Sequence, residues 1–297
     1  MNCGPLGGGE LMQPRPYEEQ FAQKYSIVRE LFIDTADDNY VAARWCFHEG
    51  LNVDFFWLAV HCIEKYLKAA LLLNGHTSKS YRHNIIKLYQ AVKPLAPELL
   101  PDDLNKPETM PADLWRNETV GQFIERLYRF GQADNRYQLY GFSRHAEDLW
   151  KFDQVVFNVR RLCQPLEAHF LGQAVAGAPN ESRRQRMLKD HETSWILHAN
   201  LEATMEGKRG NALRHALLNW NHMFAPIGYE HTAMEYRYST RQPVFIRRLF
   251  DPLRGGSKNF PAADALWGWV KKNIQLPNEL IKEIEAEQAR LKSQATP

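Results

Sequence analysis

The chain has 297 residues, 44% hydrophobic and 24% charged, the composition of a folded globular protein that can bury a real core as one large domain or two ordinary ones. Its 37 basic and 35 acidic residues leave a formal charge of +2, which excludes a bulk electrostatic argument for nucleic acid and confines any basic surface to a local patch. Four cysteines (Cys3, Cys46, Cys62, Cys163) lie far apart with no Cys-x-x-Cys pair. They exclude a disulfide scaffold and read as reduced thiols of a cytoplasmic protein.

The opening residues 1–16, rich in glycine and proline, have no apolar core of secretory length and read as a flexible tail. A long helix is expected from Tyr17 to about His48, with Phe21, Tyr25, Val28, Leu31 and Phe32 on its apolar side. The next segment, "DFFWLAVHCIEKYLKAALLLNG", places Phe55, Leu58, Ala59, Cys62, Tyr66, Ala69, Ala70 and Leu73 on a wide apolar stripe, and Asn74-Gly75 supplies its stop. A shorter helix runs from His83 to Val92, residues 101–111 form a loop, and a further helix covers Asp113 to Phe130. From Ala146 to about Phe170, Leu149, Phe152, Val156, Val159, Cys163, Leu166 and Phe170 recur at nearly 3.5-residue spacing. "GQAVAGAPNES" then breaks the pattern. The expected plan is a helical domain at 17–172 and an α-helical C-terminal domain at 182–297. The latter's helices are expected at Arg183–Met205, Asn211–Phe224, Val244–Leu253, Ala262–Lys272 and Asn278–Leu291. Nothing calls for a sheet or a membrane span, and the fold class is all-α.

Four short motifs follow one another: Glu64, Lys65, Leu67 and Lys68 as Glu-Lys-x-Leu-Lys; "RHNIIKLY"; "NRYQLYGF"; and the helix "HAEDLWKFDQVVFNVRRL". In this order they resemble the HEPN domain, the higher eukaryotes and prokaryotes nucleotide-binding family, over about residues 34–170. The family's His-Asp-Leu helix start corresponds to His83, Asn84 and Ile85, and its Arg-Tyr-Pro turn to Arg136 and Tyr137 with Gln138 in place of proline. The resemblance implies an up-and-down helical bundle, a homodimer, and a ligand site drawing on Lys65, Lys68, His83, Arg136 and Tyr137. The residues alone allow plainer roles. Glu64 and Lys68 form an i,i+4 pair, His83 can bond at a helix start, and an arginine fork suits a carboxylate as well as a phosphate.

Many HEPN proteins that this chain resembles are metal-independent ribonucleases with an arginine followed four to six residues later by a histidine. Outside the resembling segment two pairs have that spacing: Arg186 with His191, and Arg209 with His215. Arg183, Arg184, Arg186 and Lys189 also concentrate positive charge ahead of Trp195, where a phosphate backbone or plain solvent would be accommodated. The minimal nucleotidyltransferase that often accompanies HEPN domains needs a Gly-Ser followed by two metal-binding acids. Those acids must stand nine to thirteen residues later, and in that window Gly256-Ser257 has "WGWVK", which excludes it. There is no phosphate-loop motif and no metal-ligand spacing, so neither cofactor nor metal is expected. "NWNHMFAPIGYEH" groups His222 and His231 with aromatics as packing residues.

The expectation is therefore a nucleotide- or RNA-binding protein, in a toxin–antitoxin or defence setting by family analogy. The alternatives are a metal-independent ribonuclease and a non-catalytic adaptor whose C-terminal helices dock a protein partner.

Overall fold

The computed structural model describes residues 16–168, 181–190, 194–232, 238–251, 253–254 and 259–295. The all-α expectation holds: eleven α-helices among the described residues account for nearly all regular structure. The bundle is built from α1 (Pro16–Val28), α2 (Asp34–His48), α3 (Asn52–Leu73), α4 (Ile85–Val92), α5 (Val120–Phe130) and α6 (Asp148–Arg160). Helix α3 is its axis, packing against α2, α4, α5 and α6. Phe55, Phe56, Ala59, Cys62, Ile63, Tyr66 and Leu67 all turn inward, so most of its circumference is buried.

Local chemistry explains where the helices start and stop. The long helix expected from Tyr17 to His48 is continuous in direction but carries a π turn at Arg29–Ile33 between α1 and α2. That extra residue in the turn rotates the side chains, so Leu31 faces solvent and Ile33 enters the core instead. Helix α5 begins later than expected because Thr119 and Gln122 form a capping box. Helix α6 ends at Arg160, ahead of Pro165, which cannot continue a helical hydrogen-bond ladder. The end of the longer helix expected there, at Phe170, lies outside the described residues. The helix expected over Arg183–Met205 is two short ones, α7 (Arg183–Lys189) and α8 (Asn200–Met205). Helix α9 (Asn211–Leu218) stops before Trp220, whose φ of +57° is left-handed.

One small sheet departs from the sequence reading. Strands β1 (Phe142–Arg144) and β2 (Ser239–Arg241) pair antiparallel, Phe142 opposite Arg241 and Arg144 opposite Ser239. They approach so closely at Gly141 that a Cβ there would sit 2.1 Å from the Arg241 carbonyl oxygen.

The main core does not end at the expected boundary of residues 172–182. Met187, Leu197, Leu201, Leu217, Leu218 and Phe224 join the same apolar cluster as α2, α3 and α6. A second cluster holds Phe245, Leu249 and Phe250 with α10 (Phe260–Asn273) and α11 (Asn278–Ala295), and reaches the bundle through Leu139 and Tyr140. Cys46, Cys62 and Cys163 are buried free thiols.

Charges inside the core join these parts. Asp37 of α2 accepts two hydrogen bonds from Arg160 of α6, at 2.9 and 3.0 Å, and the same guanidinium reaches Glu202 of α8 at 2.9 Å. Asp37 also accepts from the Tyr66 hydroxyl and from the Leu201 backbone N–H. Beside it, Arg44 pairs with Asp153 and donates to the carbonyls of Ala216 and Asn219. Asp37→Ala is expected to destabilise the protein by about 3–5 kcal/mol, because it strands a buried guanidinium. Asp190→Ala, which removes one partner of half-exposed Arg186, should change stability by less than about 1 kcal/mol. Chemical denaturation of the two variants checks this, and equal effects would contradict it.

Candidate functional site along helix α3

The polar face of α3 carries partly exposed Trp57, His61 and Lys68 around buried Glu64, spaced by four, three and four residues and therefore stacked along one side. Each touches the next. The Trp57 and His61 rings meet edge to face at 4.1 Å, His61 Nδ1 lies 3.6 Å from Glu64 Oε2, and Lys68 Nζ donates to Glu64 Oε1 at 2.6 Å.

Two turns close the ends of this stripe. At one end His83 Nδ1 lies 3.0 Å from Glu64 Oε1, with 81% of the His83 side chain exposed. His83 is therefore not the helix-start residue. That role falls to Asn84, whose side chain accepts from the Lys87 N–H at 3.0 Å and does the work expected of the family's aspartate. At the other end the Arg136 guanidinium lies 4.3 Å from the centre of the Trp57 ring, and Tyr137 beside it is 73% exposed. The turn is held from inside by Asn135, which donates to the carbonyls of Phe130 and Gly141 and accepts from the Tyr140 N–H. Gln138 has a φ of +58°, a conformation closed to proline, so this turn is a different one from the family's Arg-Tyr-Pro and is not merely looser. Arg241 clamps the Gln138 side chain at 2.8 Å, and the Val244 N–H bonds the Gln138 carbonyl at 3.1 Å.

Of the five residues expected to bind ligand, four gather here: Lys68, His83, Arg136 and Tyr137. Lys65 points elsewhere, donating to Asn39 Oδ1 at 2.7 Å and to the Thr35 carbonyl, which fastens α3 to α2. Burial lowers its pKa. Trp57 and His61 were missed in the sequence, although their spacing to Glu64 and Lys68 is legible there. Glu64 is the electrostatic centre. Burial alone would raise its pKa, but the close approach of His61, the hydrogen bond from Lys68 and the positive charge around it bring it down to about 2.

Arg186, Arg209 and His215 stand apart from this face. Arg209 is 2.5 Å from Asp38, and His215 Nδ1 is 3.3 Å from the Tyr229 hydroxyl. Arg186 pairs with Asp190 at 3.3 Å, and His191 lies outside the described residues. The basic cluster around them is neutralised in the same way: Arg184 meets Glu98 and Glu167, and Lys189 meets Glu181. His222 and His231 pack with Trp150 and Trp220, as expected for packing residues. Among the described residues no cluster of His, Cys, Asp and Glu is arranged to hold a metal, and no helix is long and apolar enough to cross a membrane.

The fold and this site define an all-α bundle whose central helix carries a largely buried polar stripe at the edge of the core. Residues 29–148 match the family model described as the HEPN domain, a span that includes α3 and both flanking turns. Comparison with curated proteins and with solved structures gave no match.

Because the folded pKa of Glu64 lies below the ordinary 4.5, its ionised form stabilises the fold fully above about pH 4.5, and that contribution fades as the pH falls toward 2. The difference in melting temperature between wild type and Glu64→Gln should be largest near neutral pH and shrink on acidification. A difference independent of pH would contradict the assignment.

Proposed function

We propose that the chain binds nucleotide or RNA along the α3 stripe. The observation that carries this reading is Arg136 packed on Trp57, continuous through His61 and Glu64 with Lys68 and His83. Arginine, lysine and the imidazoles surround a single carboxylate, so the stripe favours an anion. Exposed Tyr137 and half-buried Trp57 supply ring faces on which unpaired bases can stack. From Trp57 to Lys68 the helix rises by about 16 Å, room for more than one nucleotide unit. The homodimer and the toxin–antitoxin or defence setting rest on family analogy and belong to this proposal. So does the division into domains at 17–172 and 182–297, which the second apolar cluster, Phe245 to Leu291 with Leu139, supports for the last part of the chain.

The test is fluorescence anisotropy with short single-stranded RNA across a salt series. Lys68→Ala and Arg136→Ala should each weaken binding by roughly tenfold and reduce the salt slope by about one ion. Trp57→Ala should weaken it with the slope unchanged. RNA binding that ignores all three variants would overturn the reading.

A second reading, metal-independent cleavage, is favoured by His83: Glu64 holds Nδ1 of a largely exposed imidazole, the arrangement a proton-transfer residue needs. Labelled RNA in EDTA, with His83→Ala, His191→Ala and His215→Ala compared, assigns any cleavage to one histidine. An uncut wild-type reaction removes this reading. The adaptor alternative draws on Leu266, Trp269 and Ile274, large apolar side chains exposed on and just after α10.

A further inference from the structure

A cavity of about 400 Å³ lies apart from the α3 stripe and shares no residue with it. One wall is a face of α6 carrying Trp150, Gln154 and Asn158, followed by Arg161 one residue past the helix. This face differs from the one through Leu149, Phe152, Val156 and Val159 that enters the core. The facing wall is formed by Leu99, Pro101 and residues 105–107, with Met187 and Leu188 of α7, and His222 and Met223 close one end. There His222 lies nearly parallel to Trp150, at 18° and 6.0 Å between centres.

Most polar groups in these walls are already engaged. Gln154 pairs with the backbone N–H and carbonyl of Asn105, at 2.8 and 2.7 Å. Asp153 is held by Arg44 and Tyr40, Lys106 donates to the carbonyls of Pro107 and Met110, and Glu98 at the rim is paired with Arg184. Arg161 is only partly engaged. It is 3% exposed, its Nη2 donates to Asn158 Oδ1 at 3.0 Å and to the Leu99 carbonyl, and its Nε and Nη1 have no partner. Phe157 packs beside the guanidinium at 5.4 Å. Among the described residues no carboxylate pairs with it, and burial alone pushes its pKa down to about 10. A buried, uncompensated cation in the wall of a mainly apolar cavity is costly unless an anion joins it.

We propose that this cavity is a binding site for a small aromatic anion, with the acid group completing Arg161 and the ring lying toward Trp150 and His222. A preformed apolar hollow with few convergent polar groups is the usual form of a small-molecule site, and the volume suits a molecule of mononucleotide size. The acid group can be a phosphate ester or a carboxylate. Arg161 serves either, and at the ring end the exposed His222, which covers the 1% exposed Trp150, meets the ring of both.

Isothermal titration of the full chain with adenosine 5′-monophosphate, 1-naphthoate, adenosine and inorganic phosphate tests this. At least one aromatic anion should bind, with adenosine and phosphate weaker by about tenfold or more. The anion that binds identifies the source as ester or carboxylate. Arg161→Met should abolish that preference while leaving the melting temperature of the free protein unchanged or higher, because the charge it removes is uncompensated. Met223→Trp should block binding from the far end without touching Arg161. Lys68→Ala and Arg136→Ala should leave it intact, which separates this site from the α3 stripe.

Failure of both anions to bind would overturn the proposal, as would equal binding of adenosine or phosphate, or binding unchanged in Arg161→Met or Met223→Trp. A lower melting temperature in Arg161→Met would also overturn it, since the arginine would then be a structural tie to Leu99. Loss of binding in the Lys68 or Arg136 variant would move the ligand to the stripe and overturn it equally.

Discussion

The molecule is organised around charges that no water reaches. Arg160 lies between Asp37 and Glu202, and Arg44 between Asp153 and the carbonyls that end α9. Taking such groups out of water costs several kcal/mol per ion, and only well-formed hydrogen bonds offset it. Each guanidinium therefore tolerates very few arrangements of its neighbours. Helices α2 and α6 must face each other in one register, and the segment from Leu197 to Asn221 must lie against both. An apolar seam would permit sliding by a turn at modest penalty. This one would expose a bare charge to the core.

The stripe on α3 is a consequence of that rigidity. With α2, α4, α5 and α6 all packed on it, the central helix has one narrow face left, and its polar side chains are forced into mutual contact there. The ends of the face are set by backbone rather than by packing. Arg82, beside His83, has a φ of +49°, and Gln138, beside Tyr137, has one of +58°. Non-glycine residues in this region carry strain that neighbouring structure must hold, and such residues gather at functional sites. At Gln138 the holding is done by Arg241 and Val244, which lie beyond the bundle in sequence. The position of Arg136 over Trp57 therefore depends on the later part of the chain.

The parts of the fold legible in the sequence are those governed by neighbours a few residues away. The apolar stripe of α3 and its stop at Asn74-Gly75 are of this kind, and so is the short helix ending at Val92. Where a local competitor intervened, periodicity misled. The π turn at Arg29–Ile33 redirected Leu31, the Thr119–Gln122 capping box delayed α5, and Pro165 stopped the ladder of α6. The site was partly legible for the same reason: Lys68 and Glu64 are neighbours on one helix, whereas Lys65, a single residue away, turns 100° to a different face.

By itself, then, the sequence determined the all-α class, the central helix, the order of motifs shared with the HEPN domain, and the Glu64–Lys68 pair on that helix. These follow from helical periodicity and local capping, which act within one or two turns. Tertiary structure alone decided which charges are buried: Asp37 meets Arg160 across 123 positions, and Arg44 meets Asp153 across 109. It alone brought His83 and Arg136 to opposite ends of one helix face, and left Arg161 uncompensated in a cavity wall. Whether a charged side chain is solvated, paired or stranded depends on what the fold places against it, and that partner is distant in the chain.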